Sequence, residues 1–577
     1  MLSPQTSRHI PRLAVARTEM HGLLRCVHAE LNLRRLSRRE GLALGVISLC
    51  ALLLWITLQR GRTFIGDEVA TVPLLKQSAT YLLTHFTVHL TMNYFILVEK
   101  WVAWLCGATD WRLTLLPLTA AVAIIPLTAS LALKFTGSTR TALIAASLAA
   151  FNPYLVYWGL LIRSYSLLVA LSLLAINEFF QWYARRDWWS GVRCATVLLL
   201  LLLAHINGVY TVAFLILLLA IETISVGWSG GRKFLWDAKT LWVPLAGVAI
   251  MIGVAYWHLL PDIAKINKEW GTATPPTSLG YLPKVFTTYM SMGVGYGAYL
   301  CAVLLLIGLW SAAREKRSLL LLCGAIMLAP TIMSLQGVSL HPSDSARYLV
   351  FSLPWILILV AEGINWLARH DRRRGGPAIA AWCLTAIVVL CWTPSVGAQF
   401  VFKKRWPYAR VAKFLHAKMQ KDDVIVAGWM LGYTLSQFFD DAESRIMLPD
   451  AYLNKVATNL DAAVNGRVFY VTRLDIPTGR KAPVRDFGVM GVTIYSGRTP
   501  RVLLERWRED LLDRTAGRVV WTFESYYQLL ALLEERLSSG QSADHWRSRA
   551  ESCRAQNPYL RDVPTHLQKA MRAVLFP

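Results

Sequence analysis

Several familiar catalytic and redox motifs are missing from this 577-residue chain. Its nine cysteines include no Cys-x-x-Cys pair, so the sequence implies neither a zinc knuckle nor a disulfide framework. It has no Walker loop and no His-Glu-x-x-His zinc motif. We also find no internal repeat and no low-complexity tract. No linear motif of this kind therefore identifies a function.

Acidic residues are also scarce. The chain has 36 Asp and Glu against 60 Lys and Arg, which gives a formal net charge of +24. Much of the excess lies in short loops between apolar runs, where Lys and Arg set the topology of membrane proteins. The polar C-terminal region has no basic-aromatic recognition motif. We therefore expect no nucleic-acid partner.

Long apolar runs are what the chain has in abundance. Hydrophobic residues make up 55% of it, and the mean hydropathy is +0.40. Runs long enough to cross a bilayer predict about eleven transmembrane helices. The predicted spans are 41–59, 113–133, 140–158, 164–182, 192–206, 209–227, 240–260, 295–311, 318–336, 346–367 and 377–395.

The distribution of basic loops predicts the orientation. With the N-terminus inside, eleven crossings place the Arg- and Lys-rich loops on the inner side. These loops are 134–140, 183–193, 228–239, 312–317 and 368–376. Counting the polar-containing stretch 80–106 as a further span would invert every later basic loop. We therefore predict that this stretch is an amphipathic or re-entrant helix at the outer surface.

The predicted fold class is a polytopic α-helical membrane protein with a C-terminal α/β extracytoplasmic domain. Residues 1–40 carry eight Arg against three Glu and predict a basic cytoplasmic segment. Residues 41–397 form the multi-span membrane domain. Strand-like and helix-like segments alternate over 398–500, which predicts a partly parallel sheet. Residues 501–577 predict a helical extension of three or four amphipathic helices.

Polar and ionisable residues at span ends gather on the predicted outer face. Asp67 and Glu68 follow the first span directly, where they either cap a helix or serve substrates or proton transfer. Arg347 stands out because an outer-side Arg runs against the charge bias. Arg163 and Arg112 fit a binding role or snorkelling at a span end equally well. The face also receives Tyr165, His205, Tyr210 and Tyr348, for which an interfacial or satisfied helix-end role is the alternative.

The order of these features resembles the GT-C superfamily of membrane glycosyltransferases, in particular the branch of protein O-mannosyltransferases and lipid A aminoarabinose transferases. The resemblance rests on five stretches taken in order and covers roughly residues 41–500. They are Asp67-Glu68, His89…Tyr94…Trp111-Arg112, Asn152-Pro153…Arg163-Ser164-Tyr165, His205…Tyr210 and Arg347-Tyr348…Pro354. The His-Pro-Pro pattern often found in the family is degraded here to His89-Leu-Thr-Met, and residues beyond 500 have no counterpart.

The resemblance implies an inverting glycosyltransferase that moves a hexose or pentose from a polyprenyl-phosphate donor to an acceptor hydroxyl at the outer face. Asp67 would be the general base, and Glu68 would position it or the acceptor. The substrate-binding residues would be Arg347, Arg163, Arg112, Tyr348, Tyr165, His205, Tyr210 and His89. The expected partners are the donor, a lipid, glycan or protein acceptor, and membrane lipids.

Three further expectations concern cofactor, location and alternative functions. His85 and His89 could ligate a metal with Asp67, but the spacing supports this poorly, and we expect no cofactor and no obligatory metal. Arg-rich usage favours a bacterial inner membrane and leaves an endoplasmic-reticulum setting open. A transporter or flippase of lipid-linked saccharides is the first alternative, although the spans are largely uncharged internally. A non-catalytic envelope assembly protein is the second.

Overall fold

The computed structural model describes a chain of two compact units. The described residues are 36–59, 68, 71, 74–75, 77–84, 93–107, 112–225, 239–257, 281–292, 297–315, 346–370, 377–405, 408–436, 438–439, 441–456, 459–463, 465–473, 485–486, 490–495, 499–515, 524–537 and 541–556. Unit 1 comprises residues 1–60 and 78–398, and unit 2 comprises residues 61–77 and 399–577. Unit 2 thus combines the segment after the first predicted span with the polar C-terminal region.

Unit 1 is helical throughout its described part. The apolar runs within the described residues form helices, because only an internally hydrogen-bonded backbone is tolerated in hydrocarbon. The helices are α1 (Arg38–Gln59), α2 (Ala79–Thr84), α3 (Asn93–Cys106), α4 (Leu115–Thr136), α5 (Thr139–Phe151), α6 (Pro153–Gly159), α7 (Tyr165–Arg185), α8 (Trp188–Ala204), α9 (Gly208–Ser225), α10 (Lys239–Tyr256), α11 (Tyr281–Ser291), α12 (Gly297–Glu315), α13 (Leu353–His370) and α14 (Pro377–Arg405). A 3₁₀ helix, Arg347–Ser352, leads into α13.

Every predicted span overlaps at least one described helix except 318–336, which lies outside the described residues. Within the described part, 7 helices are long and apolar enough to cross a membrane, or up to 8 if α5 and α6 form one bent span. These two helices meet at an angle of 57°. The bend lies at Asn152-Pro153, because a proline and the residue before it resist a continuous helix. The count of eleven stays a prediction.

The stretch 80–106 contains two separate helices rather than one. Helix α3 has 14 residues, which is shorter than the roughly 20 needed to cross a bilayer. The side-chain amide of Asn93 donates to the carbonyl oxygen of Leu82 at 2.7 Å and so ties α3 to α2. Asn93 and Glu99 are buried. The outer-surface placement of this stretch stays a prediction.

Helices α12 and α13 make backbone contact through two glycines. A Cβ at Gly308 would overlap the carbonyl oxygen of Leu359, and one at Gly363 would overlap that of Leu304. Small residues allow such close approach between membrane helices. Beside this contact, the buried carboxylate of Glu362 accepts from the hydroxyls of Thr141 and Ser311, both at 3.0 Å. The glycine contact joins α12 to α13, and the hydrogen bonds of Glu362 join both helices to α5.

We expect Gly308→Ala to destabilise unit 1 by about 1–3 kcal/mol, because the added methyl group forces two backbones apart. The measurement is the midpoint of thermal unfolding of the purified full chain. Gly247→Ala on α10 is the matched control, since nothing lies within 4 Å of a Cβ there. The control should leave the midpoint unchanged or raise it slightly. Equal midpoints for both variants would contradict the proposed close contact.

Unit 2 contains a five-stranded mixed sheet in the order β2-β1-β3-β5-β4. Its strands are β1 (Val424–Ala427), β2 (Ile446–Met447), β3 (Val468–Arg473), β4 (Arg485–Asp486) and β5 (Met490–Tyr495). Strand β1 pairs in parallel with β2 and β3, whereas β5 pairs antiparallel with β3 and β4. The described helices of this unit are α15 (Tyr408–Lys418), α16 (Trp429–Ser436), α17 (Ala442–Arg445), α18 (Pro449–Val456), α19 (Pro500–Thr515), α20 (Glu524–Leu537) and α21 (Gln541–Gln556).

Alternating side chains of the sheet enter two separate cores. Ile425 and Phe469 pack with residues of α15 and α16 on one face. Val426 and Tyr470 pack with Trp507 of α19 and with residues of α20 on the other. The two-residue period of a strand explains this division, and burial on both faces explains the continuous apolar character of β1.

An ion pair closes the start of β1. Asp423 accepts backbone N–H bonds from Gln420 and Arg467, both at 2.7 Å, and pairs with the Arg467 guanidinium at 2.7 Å. Burial raises the pKa of Asp423, but the hydrogen bonds from Arg467 and Gln420 outweigh it and leave the pKa below its ordinary value. The pair joins the beginnings of the neighbouring strands β1 and β3.

Candidate active site

The first part of the candidate site is the turn between α6 and α7, which carries Arg163. The side-chain amide of Gln59 on α1 donates to the carbonyl oxygen of Leu160 at 2.8 Å. On the other side of Arg163, the Ser166 hydroxyl donates to the carbonyl oxygen of Pro117 at 3.0 Å. Arg163 itself is only 2% exposed. The turn therefore holds a guanidinium group inside unit 1.

The second part is the start of the 3₁₀ helix, where Arg347 and Tyr348 lie. The Arg347 guanidinium donates to the Tyr348 hydroxyl at 3.1 Å and lies 5.0 Å from the centre of the Tyr348 ring. A guanidinium over an aromatic face gains a cation–π attraction. The side-chain amide of Asn207 donates to the Tyr348 carbonyl oxygen at 3.1 Å. The segment between α8 and α9 thus holds this dipeptide in place.

The third part is His205, which follows the last residue of α8 and is fully buried. Its Nδ1 accepts the backbone N–H of Asn207 at 3.1 Å. Because Nδ1 is an acceptor, the hydrogen-bond network assigns the ring proton of the neutral imidazole to Nε2. No residue in the described part of the chain is within hydrogen-bond reach of Nε2. Within the described residues, the Nε2–H of His205 therefore has no acceptor.

Ring contacts bring these three parts together. The ring centre of Tyr165 lies 4.5 Å from that of Trp158, 5.3 Å from that of His205 and 6.2 Å from that of Tyr348. The rings of His205 and Tyr348 are 6.5 Å apart. We call this group the arginine–histidine cluster; its members are Arg163, Ser164, Tyr165, His205, Arg347 and Tyr348. Residues almost 200 positions apart in sequence thus form one cluster.

The cluster contains two positively charged side chains, Arg163 and Arg347. Arg163 and Arg347 both lie within electrostatic range of His205. Arg163 is buried, whereas Arg347 is half-buried. Arginine forks and an imidazole N–H are donors that match the oxygens of a phosphate group. The arrangement therefore offers donors of the kind that bind a phosphate monoester or diester.

The remaining predicted site residues lie elsewhere or outside the described part. The guanidinium of Arg112 donates to the carbonyl oxygen of Cys106 at 2.6 Å, at the end of α3. Tyr210 stacks on Phe351 with ring centres 5.9 Å apart. Asp67 and His89 lie outside the described residues, and Glu68 is buried in unit 2. None of the described contacts joins Arg112 or Tyr210 directly to the cluster.

Metal ligation cannot be assigned in the described part of the chain. No group of three or more His, Cys, Asp or Glu there is arranged to hold a metal ion. The histidines considered from the sequence, His85 and His89, lie outside it. The expectation of no obligatory metal stays a prediction.

Sequence reasoning missed several residues that contact the cluster. Tyr154 and Trp158 on α6 have ring centres 6.0 Å apart, and Trp158 in turn contacts Tyr165. In the sequence, both residues look like ordinary aromatic residues of the predicted span 140–158. Asn207 follows His205 on the predicted outer face, but nothing in the sequence shows that its amide reaches Tyr348. A polar residue beside a buried histidine was the only available signal.

Comparison with known proteins gives a match in structure only. No protein-family model and no curated sequence matches the chain. The structure is similar to that of ArnT from Cupriavidus metallidurans in the apo state, with a TM-score of 0.51 and 15% identity over 78% of this chain and 97% of ArnT. The same protein bound to undecaprenyl phosphate matches with a TM-score of 0.51, 14% identity and the same coverage. ArnT is a GT-C membrane glycosyltransferase. The chain has the GT-C fold.

The GT-C fold is the one that the sequence resemblance implied, so that prediction is confirmed. A chain with this fold and several spanning-length helices is an integral membrane protein. Arabinosyltransferase EmbB from Mycobacterium smegmatis also matches, at 13% identity and a TM-score of 0.41 over 83% of this chain and 49% of EmbB. At these identities the likeness concerns the fold.

Proposed function

We propose that this GT-C protein is a glycosyltransferase that moves a hexose or pentose from a polyprenyl phosphate to an acceptor hydroxyl. The observation that carries the proposal is the arginine–histidine cluster, which brings Arg163, Arg347 and the buried imidazole of His205 into one part of unit 1. ArnT, which has the same fold, binds undecaprenyl phosphate. A polyprenyl-phosphate sugar carries phosphate oxygens that arginine and imidazole N–H groups can bind.

The reaction follows from these roles. The acceptor oxygen attacks the anomeric carbon while the bond from that carbon to the phosphate oxygen breaks. Asp67 takes the proton of the acceptor hydroxyl, and Glu68 positions either Asp67 or the acceptor. Negative charge develops on the departing polyprenyl phosphate, and Arg347, Arg163 and His205 stabilise it. Attack opposite the leaving phosphate inverts the anomeric centre.

The roles of the remaining predicted residues are part of the same proposal. Tyr165 and Tyr348 line the phosphate or the sugar, and Arg112, Tyr210 and His89 lie along the path of the donor or acceptor. We further propose a bacterial inner-membrane location, with the active site and the C-terminal α/β region on the outer side. This orientation follows from the basic loops.

The test compares the lipids and glycans of cells with and without this chain by mass spectrometry. We expect loss of the chain to remove one pentose or hexose increment from an envelope glycan or lipid and to accumulate the matching polyprenyl-phosphate sugar. The wild-type gene should restore the increment. An unchanged glycan profile would contradict the proposal. A flippase would give a different result. The donor would accumulate on one leaflet, but detergent extracts of the cells would still transfer the sugar.

A further inference from the structure

Arg347 is preceded by a backbone group that a distant side chain holds. Tyr289, on α11, is 1% exposed, and its hydroxyl donates to the carbonyl oxygen of Ala346 at 3.0 Å. Ala346 is the residue directly before Arg347, where the 3₁₀ helix begins. The carbonyl oxygen after Arg347, that of Tyr348, accepts from Asn207. Side chains from two separate segments therefore hold the backbone on both sides of Arg347.

Tyr289 is itself fixed by the helix that leads to Arg163. Asn152 is fully buried and donates from its side-chain amide to the Tyr289 carbonyl oxygen at 3.0 Å. Its side-chain oxygen caps α6 by accepting from the backbone N–H groups of Tyr154 and Leu155, each at 3.0 Å. The rings of Tyr154 and Tyr289 are 5.1 Å apart. One connected set of contacts thus runs from α6 to the Arg347 backbone.

This connection has a geometric consequence for phosphate binding. Helix α6 ends just before the turn that carries Arg163, so the Asn152–Tyr289–Ala346 path joins the two arginine-bearing segments. Two guanidinium groups bind one phosphate well only when their separation is fixed, because preorganised groups lose little entropy on binding. Without the Tyr289 hydroxyl, the start of the 3₁₀ helix loses this hydrogen bond to α11.

We propose that Tyr289 is a positioning residue for the donor-phosphate site: its hydroxyl fixes the backbone at Ala346 and so sets the Arg347 guanidinium relative to Arg163. Asn207 fixes the backbone on the C-terminal side of Arg347 through its hydrogen bond to the Tyr348 carbonyl oxygen. The inference rests on the proposed function, since it concerns the group that Arg347 binds. Neither Tyr289 nor Asn207 needs to touch the donor.

The test is a titration of the purified full chain with undecaprenyl phosphate, with undecaprenol as the ligand that lacks phosphate. Tyr289→Phe keeps the ring and removes one hydrogen bond, so it should weaken phosphate-dependent binding about 3- to 10-fold. Asn207→Ala should act in the same direction and provides a second variant. Tyr256→Phe removes another buried hydroxyl, on α10, and should bind like the wild type.

A double-mutant cycle with Arg347→Ala distinguishes positioning from general destabilisation. If Tyr289 acts through Arg347, then Tyr289→Phe should add nothing to the loss caused by Arg347→Ala. Wild-type binding by Tyr289→Phe, or two losses that simply multiply, would overturn the positioning role. Wild-type binding by Arg347→Ala would overturn the phosphate assignment itself, so the two failures are distinct.

Discussion

Replacing Arg347 by alanine is expected to slow sugar transfer about 10²–10³-fold, the range found when one preorganised donor to a developing charge is lost. Arg347 lies in the cluster with Arg163 and His205, where the leaving phosphate would gain charge. Arg347→Lys keeps the positive charge but loses the planar guanidinium group. Its transfer rate should therefore fall between those of the wild type and Arg347→Ala. The measurement is the transfer rate with purified protein, donor and membrane acceptor.

Arg314→Ala is the matched control for this experiment. Its guanidinium lies 4.1 Å from the centre of the Trp310 ring near the end of α12, where it takes no part in the cluster. The control should retain the wild-type rate. Equal rates for Arg347→Ala and the wild type, with both proteins folded, would remove the arginine–histidine cluster from the mechanism.

Asp67→Asn is expected to lower the transfer rate about 10²–10⁴-fold, because the amide cannot accept the acceptor's proton as the new bond forms. Asp67→Asn should slow the chemical step alone, whereas Arg347→Ala should also weaken binding of the donor phosphate. The asparagine variant should bind undecaprenyl phosphate as the wild type does, since the base acts on the acceptor. The measurement is a single-turnover rate at saturating donor, together with a binding titration.

Glu68→Gln provides the neighbouring comparison for Asp67. A positioning role for Glu68 predicts a smaller loss than at Asp67. Full activity in Asp67→Asn at normal expression would show that another group is the base. The pair of variants thus separates the chemical step from the binding of the donor.

The sequence predicted the helices of unit 1 and part of the sheet of unit 2, because these elements have a local signal. Apolar runs predicted the helices of unit 1, and the region 398–500, for which alternating strands and helices were predicted, contains β1 and β3. The sequence missed β2 (Ile446–Met447), because two residues carry no periodic pattern. It also did not anticipate that residues 61–77 belong to unit 2, since that grouping depends on contacts distant in sequence.

For the site, the sequence supplied the residue types and the structure supplied their neighbours. Arg163, Tyr165, His205 and Tyr348 were predicted as separate weak candidates and lie in one cluster. Tyr289 gave no signal at all. It lies on a helix outside the predicted spans, and its role depends on a hydrogen bond to a backbone atom 57 residues away. Hydrogen bonds to backbone carbonyls leave no side-chain pattern to read.

The composition of unit 2 has a consequence for fragment experiments. Because it takes residues 61–77 from the early part of the chain, no single cut separates the units into complete halves. Within the segment, the described residues Glu68, Thr71 and Leu74 are all buried. A recombinant piece that starts at residue 399 should therefore lack the part of unit 2 that residues 61–77 supply.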